Sequence, residues 1–329
     1  VRRSAWLTAV VAGIGLLAAC APSPATGSAP AEPGFPVTIS HAKGSATVGH
    51  RPRRVVVLGS ADAQIASALD LPVVAAVRSP SSADGNWPGL AKPLPAAVLT
   101  LDALNPRLEA VAAAAPDLIL ATSAQPAYGA VYDKLAAMAP VITYRHGLLQ
   151  DDGDELVTMI GQAAGEEARA RELVASSHAA IEAVKRELPG LAGRKVAFGQ
   201  YTGGKTYLAA SDHALSVRLL GQLGLRVPEQ LSALAGQAEG YAASLGMVTP
   251  SAENLGVLDS ADLALISTYG SGAREEFTRI PLVAKSSLAA RGRLNLINQD
   301  LATTLLTPTP ATTGYLLEQL KPLLAKAVS

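Results

Sequence analysis

Between Asp151 and Leu188 the chain reads DDGDELVTMIGQAAGEEARARELVASSHAAIEAVKREL, 38 residues without a strand signal. Leu156, Ile160, Ala163, Ala170, Val174, Ile181, Val184 and Leu188 recur at helical spacing and keep one face apolar. Gly165 interrupts the pattern and divides it into two helices, and Pro189-Gly190 ends the second. That second helix, about Glu166 to Glu187, spans roughly 33 Å at 1.5 Å per residue, enough to cross a whole lobe. A helix of that length, with different structure on its two sides, is a candidate bridge.

On its N-terminal side, short apolar strands alternate with helices. Val55-Val56-Val57-Leu58 is a β-branched run closed by Gly59, with Asp62 placed to cap a helix over Ala63 to Leu69. Val73 to Val77, Asp117 to Ala121 and Val141 to Tyr144 read as further strands, and Pro106 to Ala115 and Tyr132 to Ala139 as helices. On the C-terminal side strand signals resume at Lys195 to Phe198, Leu263 to Ser267 and Leu294 to Ile297, and a helix over Thr312 to Ala327 closes the chain. Repeated βα units with uniformly apolar strands imply parallel sheets covered on both faces. The expected fold is α/β: two Rossmann-like lobes, residues 37–150 and 191–329, joined by linking helices over 151–190.

The start of the chain has a different character. Arg2 and Arg3 precede an apolar run from about Trp6 to Leu17, followed by Leu17-Ala18-Ala19-Cys20, the only cysteine. The run is too short to span a bilayer and reads as a signal peptide over residues 1–19. Its end resembles the bacterial lipobox, which implies acyl chains on Cys20 and a lipid-anchored protein on the extracytoplasmic face of the cell membrane. Residues 21 to 36 hold five prolines and almost no large apolar side chain, the composition of a flexible tether. Removing Arg2 and Arg3 from 27 basic residues leaves 25 against 27 acidic ones, a balance of −2 that gives no footing for nucleic acid. With no second cysteine there is no internal disulfide, so the exported part is held by its cores alone.

Arg51-Pro52-Arg53-Arg54-Val55-Val56-Val57-Leu58, Leu108-Glu109-Ala110-Val111 ahead of Pro116-Asp117-Leu118-Ile119, Tyr132-Asp133-Lys134-Leu135, Ala139-Pro140-Val141 and Gly161-Gln162-Ala163-Ala164-Gly165-Glu166-Glu167-Ala168 occur in this order. Together they resemble the iron-siderophore substrate-binding lipoproteins of ABC importers, over residues 37 to 327. The resemblance implies a monomer with two α/β lobes hinged stiffly by a long helix and a ferric siderophore held between them. It further implies an ABC permease as partner, no catalytic residue and no cofactor. One exposed acidic residue on each lobe would dock on permease arginines, a pairing that fixes orientation. Glu109 matches the first position by its spacing to Pro116-Asp117. Glu253, in Thr249-Pro250-Ser251-Ala252-Glu253, matches the second, one residue further from Asp262 than the usual pattern; either glutamate also suits a helix N-terminus.

In open α/β sheets a ligand lies beyond the carboxyl ends of the strands. Those ends and the adjoining loops supply Arg78, Trp87, Tyr144, Arg145, Tyr201, Tyr207, Tyr269 and Arg274, along with Gly59, Ser60, Gln200 and Asn298 to Asp300. In a chain with only 4% aromatic residues, this placement favours a planar or bulky ligand met by flat faces, although each aromatic also suits packing at a rim. Arginine donates to hydroxamate or carboxylate oxygens around an iron already chelated. Few lysines fall at these ends, which favours a hydroxamate-like chelate over a triply charged catecholate. Haem or a cobalamin-like corrinoid is the alternative cargo.

A different class of protein is encoded on paper by Gly199-Gln200-Tyr201-Thr202-Gly203-Gly204-Lys205-Thr206, which fits the P-loop pattern of a nucleotide-dependent enzyme. That cradle needs a helix starting at its Gly-Lys pair. Here the better helix start is Ser211-Asp212, so the segment reads as a loop or hairpin. The histidines at 41, 50, 146, 178 and 213 show no metal-ligand spacing, with His146 the first candidate for a haem or metal ligand. No Gly-x-Ser-x-Gly elbow occurs, and no serine, histidine and carboxylate pair convincingly.

Overall fold

The structure, a computed structural model, describes residues 32–238 and 240–328. Cys20, the expected signal segment and most of the expected tether lie outside the described residues. A hairpin, β1 (Val37–His41) and β2 (Gly44–Val48), leads into the first lobe. Its sheet contains β3 (Val55–Val57), β4 (Val73–Ala76), β5 (Leu118–Ala121) and β6 (Val141–Thr143), in the order β4-β3-β5-β6 and parallel throughout. β3, β5 and β6 are buried at every residue, as expected for strands covered on both faces.

Asp62 does not cap the helix after β3. That helix starts earlier, over Ser60–Ala68 with Gly59 at its N-cap, and leaves Asp62 inside the first turn, fully buried. The polar atoms that compete for its carboxylate come from the end of β5, a long-range contact that helix-start rules do not see.

Asp152 caps the helix Gly153–Ala164 by accepting from the Asp154 amide at 2.9 Å. Gly165 ends it in the left-handed region at φ +69°, where a side chain is disfavoured. The bridging helix then runs Glu167–Glu187, 21 residues or about 31 Å. Ala170, Leu173 and Val174 pack in the core of the first lobe, whereas Ile181 and Val184 pack in the core of the second. One rigid rod is therefore anchored in both.

The second lobe contains β7 (Val196–Thr202), β8 (Lys205–Ala209), β9 (Met247–Val248), β10 (Leu263–Tyr269) and β11 (Leu294–Ile297), ordered β11-β10-β7-β8-β9. β11, β10 and β7 are parallel as expected. The sheet then turns antiparallel, because Gly203 and Gly204 at φ +56° and +73° fold β7 back onto β8 as a tight hairpin. Leu263 and Leu265 face one hydrophobic cluster and Ala264 and Ile266 another, so the sheet is covered on both sides. The helix Gln299–Leu306 follows β11, and the helix Thr313–Val328 closes the fold. Between these two helices the chain touches the first lobe again, with Ala311 against its core. Among the described residues no helix is long and apolar enough to cross a membrane.

Candidate functional site

The carboxyl ends of β3 and β5 meet the second lobe across a narrow cleft. Its floor on the first-lobe side is a knot of short side chains. The Asp62 carboxylate accepts from the Thr122 amide at 3.0 Å and the Thr122 hydroxyl at 2.6 Å. It also accepts from the amide and hydroxyl of Ser123, each at 3.2 Å. The Ser123 oxygen in turn accepts from the Ala61 amide at 3.0 Å. Burial raises the Asp62 pKa above the usual carboxylate value, and the donors from Thr122 and Ser123 pull it back down. All four partners donate, so the bonding suits the ionised form. Gly59 is required where the two loops cross: a β-carbon there would lie 2.2 Å from the Ser123 hydroxyl and 2.5 Å from its backbone carbon.

Above this floor lies a cavity of about 100 Å³ lined from the first lobe by Gly59, Ser60, Trp87, Ser123 and Gln125. Thr303, Leu306 and Thr307, from the helix Gln299–Leu306 and the residue after it, form the opposite wall. A smaller cavity beside it is lined by Ala61, Thr122, Asp151, Leu215, Thr307 and Thr309 among others. Asp151 is buried and accepts from the amides of Arg145 and His146 at 2.5 and 2.8 Å. Gln150 reaches across the lobes to donate to the Ser244 carbonyl at 3.1 Å. At the rim, Asp102 accepts from the amides of Leu104 and Asn105 at 2.8 and 2.9 Å, and Tyr128 donates to the Asp102 carbonyl at 2.7 Å. That pinned turn holds Leu104 out at 64% exposure.

Of the residues singled out in the sequence, Trp87 lines the inter-lobe cavity, with its ring largely buried and Nε1 donating to the Val77 carbonyl at 3.0 Å. Tyr144 lines a different cavity of about 330 Å³ within the first lobe, with Tyr128, Tyr132 and Lys43. Arg78 and Arg145 are exposed. Arg274 is exposed too, on the helix Ala273–Arg279. Tyr269 ends β10 at 61% exposure. Tyr201 is buried against Phe277, ring centroids 5.4 Å apart, and its hydroxyl donates to Glu276 at 3.3 Å. Tyr207 is partly buried in β8. The structure thus brings Trp87 to the cleft and distributes the others over the surface, the second-lobe core and the neighbouring cavity. Ser123, Gln125, Thr303 and Thr307 were not singled out. For the first two the signal existed, since β5 ends just before them and the strand-end rule applies equally there.

His146 Nδ1 lies 3.1 Å from the Asp151 carboxylate, to which it can donate, and His178 pairs with Asp154 at 2.7 Å. Among the described residues, no three His, Cys, Asp or Glu side chains are grouped to hold a metal ion. The P-loop-like segment is the β7–β8 hairpin itself, with no helix at Gly204-Lys205. Thr206 is buried in β8 and Gly199 packs its α-carbon against the Tyr207 carbonyl. Glu109 lies exposed in the first turn of the helix Leu108–Ala113, and Glu253 exposed in the first turn of a 3-10 helix over Ala252–Ser260.

Two sheets bridged by one long helix, with a cleft at the strand ends, define a two-lobed solute-binding protein. The family model described as "Periplasmic binding protein" matches residues 55–293, so the chain belongs to the periplasmic binding protein family. Such proteins bind solutes and are not enzymes. Among solved structures, a periplasmic solute binding protein from Mycobacterium smegmatis is 25% identical, with TM-score 0.71 over 89% of this chain and 99% of that one. PiaA of Streptococcus pneumoniae in complex with ferrichrome is 23% identical, TM-score 0.71, over 89% and 98%. SirA of Staphylococcus aureus complexed with staphyloferrin B is 19% identical, TM-score 0.68, over 88% and 98%. No curated protein sequence matches the chain.

Proposed function

We propose that this protein captures a ferric siderophore of hydroxamate-like character outside the membrane and delivers it to an ABC permease. The observation that carries the reading is the inter-lobe cavity at the ends of β3 and β5, in a fold shared with structures bound to ferrichrome and staphyloferrin B. Acyl chains on Cys20 would hold the receptor near its permease, and the segment after Cys20 would act as its tether. The lobes are taken as residues 37–150 and 191–329, linked through 151–190. Glu109 and Glu253, both exposed, would dock one lobe each on permease arginines. The ligand-contacting set is taken as Trp87 at the cavity wall with Arg78, Tyr144, Arg145, Tyr201, Tyr207, Tyr269 and Arg274, although of these only Trp87 lines this cavity; a cavity of this size admits one arm of a chelate and leaves the rest to the rim.

Trp87 is the only tryptophan after residue 19, so its emission reports on the cleft. Titration with ferric hydroxamates, ferric catecholates, haem and a corrinoid is expected to give saturable quenching by an iron chelate and none by its iron-free form. Micromolar or tighter binding of haem or corrinoid alone sinks the reading.

A further inference from the structure

The segment Thr307-Pro308-Thr309 crosses the bottom of the cleft and lines the two cavities described above, Thr307 in each and Thr309 in the smaller. Both threonines are more than nine-tenths buried, and the side-chain oxygen of each has no hydrogen-bond partner among the described residues. Buried hydroxyls are nearly always satisfied, because leaving one unpaired costs the hydration it has lost. Neighbouring hydroxyls in the same turn follow the rule: Thr312 and Thr313 both donate to the Thr309 carbonyl. Pro308, between the two threonines, and Pro310, after the second, restrict the backbone of this segment.

The charged groups that line these two cavities have one sign, whereas Arg218 lies with Asp152 and Asp154 in an adjoining cavity that Thr309 also lines, and His146 lies 3.1 Å from Asp151. Asp62 is buried behind the floor and Asp151 lies in the wall of the smaller cavity, and neither has a lysine or arginine ion-pair partner among the described residues. Among the described residues no lysine or arginine lines either of these two cavities; the remaining polar groups are Ser60, Ser123, Gln125, Thr122 and Thr303. Such a wall offers neutral donors and acceptors backed by negative charge.

We propose that Thr307 and Thr309 are ligand-recognition residues, donating to carbonyl or hydroxamate oxygens of an uncharged chelate, and that the carboxylates behind them exclude anionic complexes. This rests on the siderophore reading and adds the charge class and the recognising groups. A threonine with a purely structural role and one kept for a ligand respond oppositely to Thr307→Val. Removing an unsatisfied buried hydroxyl without changing shape raises the melting temperature of the ligand-free protein, while affinity falls.

The test is calorimetric titration of the wild type, Thr307→Val and Thr309→Val with a neutral ferric trihydroxamate and a trianionic ferric tricatecholate, alongside thermal melts. Expected are a preference of about a hundredfold for the neutral complex, a loss of about tenfold on either substitution, and unchanged or higher melting temperatures. Equal binding of both complexes, or unchanged affinity with a lowered melting temperature, overturns the inference and leaves the receptor reading standing. Failure of the wild type to bind any ferric chelate overturns both.

Discussion

At the scale of the residue, the cleft depends on contacts too close for a side chain. Gly59→Ala places a methyl group on the Ser123 backbone, where no rotamer relieves it; the expected loss is about 2–4 kcal/mol, read from urea unfolding, together with loss of ligand quenching. Asp62→Ala leaves the Thr122 and Ser123 amides buried without an acceptor and is expected to cost about 3 kcal/mol. The pH dependence of Asp62 has a definite sign. Its folded pKa is raised, so the folded state binds the proton more readily than the unfolded chain, and this group's contribution to stability falls as pH rises through the interval above 3.8. The stability of the wild type relative to Asp62→Asn therefore grows as pH is lowered from 7 toward that value; an advantage that shrinks on acidification contradicts the assignment. None of this was legible from local sequence. Asp62 has the composition and position of a helix cap, and only the 60-residue separation to Thr122 and Ser123, closed by the sheet, gives it another task.

At the scale of the element, periodicity carried most of the information. The apolar positions between 151 and 188 gave both helices and their break, because a continuous face and a glycine in the left-handed region are local properties. For Gly199 to Thr206 the sequence leaves a loop and a hairpin open, and the structure shows the hairpin, since two consecutive glycines with positive φ are what a two-residue turn needs. Gly199→Ala is expected to unfold this edge, since its β-carbon would overlap the Tyr207 carbonyl, and Lys205→Ala to leave stability within about 0.5 kcal/mol of wild type. Neither wild type nor Lys205→Ala is expected to bind ATP in a filter or fluorescence assay. In the bridging helix, Ile181→Ala is expected to cost about 2–4 kcal/mol in the same urea unfolding.

At the scale of the whole molecule, a helix planted in two cores couples the lobes more stiffly than a pair of loops would. Ligand binding is then expected to leave the radius of gyration nearly unchanged in small-angle scattering, with any large compaction contradicting a rigid bridge. Charge reversal at Glu109 and Glu253 together is expected to abolish permease-dependent uptake while leaving chelate affinity unaltered, because both are exposed and absent from the cavity walls. The cleft's own chemistry was the least legible part of the sequence. Serine, threonine and glutamine are common everywhere, and their placement at one wall is decided by how the sheets face each other.

The return of residues 307–312 to the first lobe also sets an order along the chain. The core of the first lobe draws its buried residues from positions 35 to 170, and its strands all precede the bridging helix. The far wall of the cleft comes from residues 303 to 309, which follow every strand of both sheets. A chain that stops short of this region can have its earlier core in place and still have no compartment for cargo. Both sheets thus precede, along the chain, the segment that turns a pair of lobes into a receptor.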